Sequence, residues 1–372
     1  MTMLIETPSV QRPPQCRVVC PAILRRIEHS TWTEGQATLP ICSAAGTCCL
    51  EPSPFLNRGH TAFLNVDAFE GKEHLAYVHS ELQAGDIQAP ETALLQKPGV
   101  PGGIQVATIS GIDSTPLFGE DGRILGRFFE DLDAKYCVLG DVRPANPQAP
   151  RSAQTADVLD AIQRALTDAG MHFRDVVRTW FYNQDILAWY AEFNQARTAF
   201  FQQHGIIRMP ASTGIGVSNT SGAALVAKAI AVQPKTRAVT VRCVDSPLQR
   251  EASAYGSSFS RAMEVADRAG RTIYISGTAS ILPNGKTVHI GNVAGQIEKT
   301  MEVVGAILAQ NGMSFSDTTR AIAYFRHQEH IPLWEYYCRS RRLPTLPVIL
   351  TQCDICRDNL LFEIELDAAR KN

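Results

Sequence analysis

The chain has no apolar run that approaches the roughly 18 residues a bilayer-spanning helix needs, so no membrane partner is expected. It also has no basic N-terminal region leading into a long apolar core, which argues against a secretory signal and makes the cytoplasm the expected location. Its 35 Lys and Arg against 37 Asp and Glu leave a formal charge of −2, without the basic bulk of a nucleic-acid surface and without a single-sign tail. An anionic small molecule must then be met by a few local arginines. Metal-site spacing is missing too. Five of the ten cysteines fall in the first 50 residues (Cys16, Cys20, Cys42, Cys48, Cys49) with none of the paired spacing of a zinc ribbon. The pair Cys353 and Cys356 follows a strand-like run and has no second pair, and His327 and His330 lack the i, i+4 spacing of a helical zinc site. The turn Gly214-Ile215-Gly216 lacks the spacing of a phosphate loop, so no metal, nucleotide or flavin cofactor is expected.

What the chain does have is a repeat. Residues 121–235 and 256–369 read as two diverged copies of one strand–helix–strand unit. Copy one runs Lys135 to Gly140, a helical stretch, Gly170-Met171-His172-Phe173-Arg174-Asp175, then Trp180-Phe181-Tyr182. Copy two runs Arg271 to Gly277, a helical stretch, Gly312-Met313-Ser314-Phe315-Ser316-Asp317, then Ala323-Tyr324-Phe325. A shared turn motif flanked by matching elements on both sides is best explained by duplication. In each copy one helix carries an apolar stripe, Leu159, Ile162 and Leu166 or Met301, Val304 and Leu308, and ends at Gly170 or Gly312. A second helix follows, around Trp189, Phe193, Arg197 and Phe200 or Trp334 to Tyr337. Strands are expected over 176–182 and 319–325, and closing strands over 224–232 and 360–366. The fold class is therefore α/β, each unit a mixed sheet covered on one face by two helices.

Four segments follow. Residues 1–60 are a Cys- and Pro-rich irregular extension, and 61–235 form an N-terminal domain with strand candidates at 62–66 and 75–78. Residues 236–255 form a linker with one strand at 238–244, and 256–372 form a C-terminal domain.

The order strand, glycine turn, helix, Gly-Met-x-Phe-x-Asp, strand, helix, Pro and a closing Glu-Ile-Glu strand resembles the Rid (YjgF, L-PSP) superfamily. The tandem copies are similar to its chorismatase branch, through Arg178 to Tyr182, Pro210 to Gly216, Ser257 to Ala262, Ser276 to Ser280 and Cys356 to Glu365. The resemblance implies tandem Rid-like (chorismate-mutase-like) α+β sandwich domains. It further implies cleavage of the enolpyruvyl ether of chorismate to pyruvate plus 3-hydroxybenzoate, or a related hydroxybenzoate or dihydrodiol.

Enol-ether cleavage needs a general acid, and a carboxyl serves where burial keeps it protonated. The resemblance assigns that role to Glu363, while copy one has Ala227 at the position aligned with it. Glu365, two residues on, points the same way in an alternating strand and is a second candidate. Chorismate has two carboxylates, which suit arginines; Arg326 and Arg261 are the expected anchors, with the Tyr255 hydroxyl, Gly277 and Ala279 completing the substrate site. Arg357 is a spare candidate. A cysteine at position 356 is similar to the branch that forms 3-hydroxybenzoate. The segment 245–256 is shorter than that family's usual loop. Two other readings stand beside this one: a Rid-type imine or enamine deaminase, and a non-catalytic small-molecule-binding protein. The deaminases carry an arginine two residues after a proline, where this chain has Ser212 and Val348. A monomer with pseudo-symmetric domains and a homotrimer both fit the repeat.

Overall fold

The computed structural model describes residues 112–252 and 256–372. Before residue 112 it describes five strands, residues 89, 90 and 103, and, within the strands, the surroundings of some side chains only.

The helices form where the apolar stripes predict them. In the second of three sheets, β6 (Thr115–Phe118), β7 (Ile124–Glu130) and β8 (Ala134–Val142) precede α1 (Arg151–Asp168). Then come β9 (Val176–Asn183), α2 (Ile186–Gln203), β10 (Ala211–Gly216), the short β11 (Ser218–Asn219), which pairs into the first sheet, and β12 (Leu225–Pro234). In the third, β13 (Thr240–Val244), β14 (Ala262–Asp267) and β15 (Gly270–Ala279) precede α3 (Val293–Gln310). They are followed by β16 (Thr318–Phe325), α4 (Ile331–Ser340), β17 (Val348–Gln352) and β18 (Phe362–Lys371). Leu159, Ile162 and Leu166 on α1, and Met301, Val304 and Leu308 on α3, are buried against one face of their sheets. Both helices end in the same way. Gly170 and Gly312 adopt positive φ, and the amides of Met171 and Met313 reach back to the carbonyls of Leu166 and Leu308. Only a residue without Cβ takes that turn at no steric cost.

Strand order is the same in the two units: β6-β7-β8-β12-β9-β10 and β13-β14-β15-β18-β16-β17, antiparallel except for the last pair. The segment 240–244, expected within a linker, is an edge strand of the third sheet because it pairs with β14.

A further correction concerns the first 110 residues. Val18–Val19 (β1), Ile27–Trp32 (β2), Thr61–Ala68 (β3), Glu91–Leu95 (β4) and Ile104–Ser110 (β5) form a sheet in the order β1-β2-β5-β3-β4, completed by β11. With β3 and β4 parallel and the other pairs antiparallel, this repeats β14-β15-β18-β16-β17 strand for strand. All three copies even carry a register shift at the same place: after Phe63 on β3, between Val176 and Arg178 on β9, and between Thr318 and Arg320 on β16. The chain holds three copies of the unit. Residues 1–60, expected to be irregular, contribute two of the first copy's strands, and the strand candidate at 75–78 lies outside the described residues.

The three sheets close into a ring. β3 and β4 pack on β8, β10 packs on β15, and β16 and β17 pack on β2. Helices cover the outer faces of the second and third sheets, and the inner faces of all three share one core that includes Leu94, Ala107, Trp180, Tyr182, Ile230, Tyr274, Ile322 and Tyr324. Within it the strand registers place Gln105, Lys228 and Glu365 at equivalent positions, one per copy. Glu365 is fully buried. It is paired with Arg178 at 2.9 Å and with Arg320, and it accepts a hydrogen bond from Trp180 Nε1 at 2.8 Å. Arg320 also donates to Gln105 Oε1 at 2.6 Å, which joins the first copy to the third. The guanidiniums of Arg178 and Arg320 and the ammonium of Lys228 lie 4.4, 5.0 and 4.8 Å from the Trp180 ring centroid. Removing one charge from such a cluster leaves the others buried and uncompensated. Glu365→Gln should therefore cost about 3–5 kcal/mol of stability, read as a lower urea midpoint at an unchanged m-value; an unshifted midpoint would mean that the cluster does not hold the ring.

Candidate active site

Alternation along β18 divides its side chains between two environments. Phe362, Ile364 and Leu366 pack beneath the helices of the third sheet, while Glu363, Glu365 and Asp367 emerge on the inner face. Their surroundings set opposite charge states. Burial raises the Glu365 carboxyl, but Arg320 and Arg178 outweigh it and hold the group down at about 2. Glu363 is also buried, at 4% exposure, and it has no hydrogen-bond partner among the described residues. Burial, reinforced by the charge of Glu365 and only partly offset by Arg178, pushes Glu363 up to about 8. At neutral pH it is a protonated acid beside an ionised one.

Glu363 faces a cleft at the junction of the second and third sheets, with about 570 Å³ of atom-free space including its open mouth. Two elements open this space. Gly277 lies where β15 shifts register against β18, and a Cβ there would fall on Glu363 Oε1 and come within 3.2 Å of Thr213 Cγ2. On the other side, α2 delivers Tyr190 and Arg197, and β10 delivers Ser212 and Gly214. The loop before β14 is stitched to β10 by Ser260 N–H on the Pro210 carbonyl, at 3.0 Å, and the Ser276 hydroxyl accepts the Ser212 amide at 2.8 Å. The loop before β18 is fixed in turn by paired backbone hydrogen bonds between Gly216 and Asp354.

Of the residues expected at the site, Glu363, Cys356, Arg261, Gly277 and Ala279 line the cleft together. Arg261 is buried, donating Nε and Nη2 to the Arg250 carbonyl while its guanidinium stacks near Phe259. The Cys356 thiol is pushed up to about 12, by burial first and then by Glu363, with only a small opposing pull from nearby Arg357 and Tyr190; it is a neutral wall group. Two expectations are corrected. Arg326 does not line the cleft, because its guanidinium is spent on the carbonyls of Arg357 and Asp358 and on the carboxylates of Asp354 and Asp358. Glu365 sits in the ion cluster, whose two arginines keep it ionised and occupied. Tyr255 lies outside the described residues. The shortened 245–256 segment docks on the end of β15, where Gln249 Nε2 donates to the carbonyls of Ala279 and Ile281 at 3.0 and 2.9 Å.

Arg197 was not singled out for the site. It is 2% exposed and no carboxylate among the described residues pairs with it; Nη2 donates to Asn194 Oδ1 at 2.6 Å, Nη1 to Ser212 Oγ at 3.3 Å, and Nε has no partner. Burial lowers it to about 10, so it remains a cation at neutral pH. The signal was visible: an arginine standing in an aromatic helix stripe. Arg357, a spare candidate, also lines the cleft.

Among the described residues, the junction of the first and second sheets has no counterpart of Glu363. Register places Val226, not Ala227, opposite Glu363, since Val226 pairs with Tyr182 as Glu363 pairs with Tyr324; the sequence alignment was one residue out because β12 is apolar on both faces from Leu225 to Val232 except at Lys228, and so has no alternation to fix the register. By the same registers Asp141 takes the place of Gly277, held by Arg123 at 2.9 Å and Arg143 at 2.6 Å.

A family model described as "Endoribonuclease L-PSP" matches residues 144–233. A 3-hydroxybenzoate synthase from Streptomyces hygroscopicus is 29% identical over 218 residues, which are 52% of this chain and 63% of that protein. A chorismatase from Streptomyces rapamycinicus is 30% identical over 238 residues, 58% of this chain and 69% of that protein. The chain thus spans less than two thirds of the first of these relatives. A crystal structure of a chorismatase superposes with a TM-score of 0.64 at 19% identity, covering 92% of this chain and 98% of that one, which supports the fold. With the ring of three units, these likenesses establish that the chain belongs to the chorismatase family of the Rid/YjgF/L-PSP superfamily.

Proposed function

We propose that the protein cleaves the enolpyruvyl ether of chorismate, releasing pyruvate, with Glu363 as general acid and 3-hydroxybenzoate as the aromatic product. The observation that carries this reading is a buried carboxyl, raised to about 8, facing a cleft lined by three arginines. Protonation of the terminal methylene by Glu363 makes the ether carbon an oxocarbenium-like centre. Water adding there gives a hemiketal that collapses to pyruvate and the dihydrodiol. A neighbouring hydroxyl of the substrate adding there gives a cyclic ketal, in which the ring bond to that hydroxyl oxygen breaks and the oxygen leaves as the pyruvate ketone. The ether oxygen stays on the ring as the phenol, and the ring loses a proton to become aromatic. Formation of 3-hydroxybenzoate requires no net water, since chorismate equals the sum of the two products in atoms; the dihydrodiol outcome consumes one water. A half-buried thiol beside the acid, Cys356, narrows the room for free water and supports the first outcome.

Two carboxylates on the substrate need two cationic anchors. Arg197, buried with a spare Nε, fits one of them, and Arg261 or Arg357 the other. A second reading has its own support. The Arg197 guanidinium reaches Ser212, the position where imine-hydrolysing relatives carry their carboxylate-binding arginine, so hydrolysis of a 2-imino acid is the competing activity.

Incubation with chorismate and coupled detection of pyruvate tests the proposal. Pyruvate and 3-hydroxybenzoate are the expected products; release of ammonia from a 2-imino acid without any pyruvate from chorismate would replace the proposal by the second reading. Glu363→Gln should abolish turnover, because an amide cannot donate the proton; pyruvate release by that variant at the native rate would remove Glu363 from the role. Because the protonated form acts, kcat should hold below neutrality and fall as pH rises through about 8. A rate that rises through that range would mean a base is at work. Arg197→Met should lower kcat/KM about 100-fold, chiefly through KM, with Arg197→Lys a poor rescue since an ammonium is a point charge on a flexible stem; unchanged kinetics would exclude Arg197 as an anchor.

A further inference from the structure

Thr213 enters the sequence expectations only as a member of the segment Pro210 to Gly216, with no role of its own, yet it stands between the two carboxyls of β18 that differ most in charge state. Its Oγ1 accepts the Gly277 amide at 3.1 Å and Arg178 Nη2 at 2.7 Å, and the hydroxyl lies near enough to the Glu365 carboxylate to help hold it ionised. Both of its acceptor positions are thereby used. Its Cγ2 lies against the space beside Gly277 that the Glu363 carboxyl occupies. The hydroxyl is buried, so valine cannot replace it without leaving the Gly277 amide and the Arg178 guanidinium each one bond short.

We propose that Thr213 is a positioning residue for the proton carried by Glu363: anchored on the buried Arg178–Glu365 pair, its hydroxyl holds the Gly277 amide and so keeps β15 clear of the Glu363 carboxyl. This rests on the reading of Glu363 as the general acid. A comparison inside the molecule separates positioning from mere architecture. Register makes Thr92 the first copy's counterpart of Thr213, and its Oγ1 accepts the amide of Asp141, the counterpart of Gly277, at 3.2 Å. The same clamp therefore exists at a junction where Val226 stands in place of the acid. At the remaining junction the counterpart is Ile349, which can accept no such bond.

The experiment compares Thr213→Val, Thr213→Ser and Thr92→Val, with chorismate as the substrate. Thr213→Val should lose kcat on the order of 100-fold with KM within about twofold, as expected when a reacting group is misplaced by an ångström or so. Thr213→Ser, which keeps the hydroxyl, should recover most of that loss, and Thr92→Val should keep native kcat. Equal losses of kcat in Thr213→Val and Thr92→Val would reduce the clamp to architecture and overturn the proposal. Thr213→Cys, nearly isosteric and a weak acceptor, replaces the valine variant if that one does not fold.

A readout independent of turnover is the titration of the Glu363 carboxyl by carbon-13 NMR. The groups that face it are Glu365 and Arg178 on the sheets, Tyr190 and Arg197 on α2, Cys356 and Arg357 on the loop before β18, and Arg261 before β14. All of them are kept in the three variants. Freed from the clamp, the carboxyl should gain water and its midpoint should fall by about one unit in Thr213→Val. A wild-type protein that yields no pyruvate would defeat the chorismate reading, and the clamp would then be judged by this midpoint alone; an unmoved midpoint overturns it.

Discussion

Glu365, held between Arg178 and Arg320, is the point on which the rest of the molecule turns. One carboxylate satisfies guanidiniums from two copies of the unit, and through Arg320 and Gln105 the first copy is tied to the same point. Buried ion pairs add little net stability over a well-packed apolar core, because desolvation consumes most of the Coulomb gain. Their value lies in registry. Two arginines, one lysine, Glu365 and Asp367 gather around one tryptophan, and their contacts tie residues of all three sheets to this one arrangement.

The same carboxylate shapes the chemistry one residue pair away. Glu363 and Glu365 share a strand, a face and nearly complete burial, yet one is held at about 2 and the other at about 8. The difference is one of partners. Glu365 takes the arginines, so Glu363 has burial and a negative neighbour to contend with and keeps its proton. The group that fixes the ring thus also biases the charge state of its neighbour on the strand.

Much of the architecture was legible in the residues. Helix stripes, paired Gly-Met-x-Phe-x-Asp turns and the closing alternation of β18 marked two copies, and they did so because each is a local signal. The first copy lacks that turn motif in its sequence, and its kinship appears only in strand order and in the repeated register shift after Phe63, which are properties of pairing. Glu363, Cys356 and Gly277 were readable because they cluster around one motif-bearing strand and its neighbour. The roles of Arg197 and Thr213 were not, although Arg197 stands out in an aromatic helix stripe and Thr213 lies within the segment Pro210 to Gly216. They reach the site from the preceding copy across a junction, and no spacing along the chain encodes that approach. Arg326 failed for a related reason: its place at a strand end was correct, but the loop carbonyls of Arg357 and Asp358 claim its guanidinium.

The three junctions have not stayed alike: Gly277 at one faces Asp141 at another, and Thr213 and Thr92 face Ile349 at the third. In an assembly of identical subunits every substitution is imposed on all the interfaces at once. Encoding the units in tandem removes that coupling. One interface can then be tuned toward reactivity, with a poorly solvated acid and an opened strand, while its siblings accumulate salt bridges and aliphatic contacts that hold the ring closed around it.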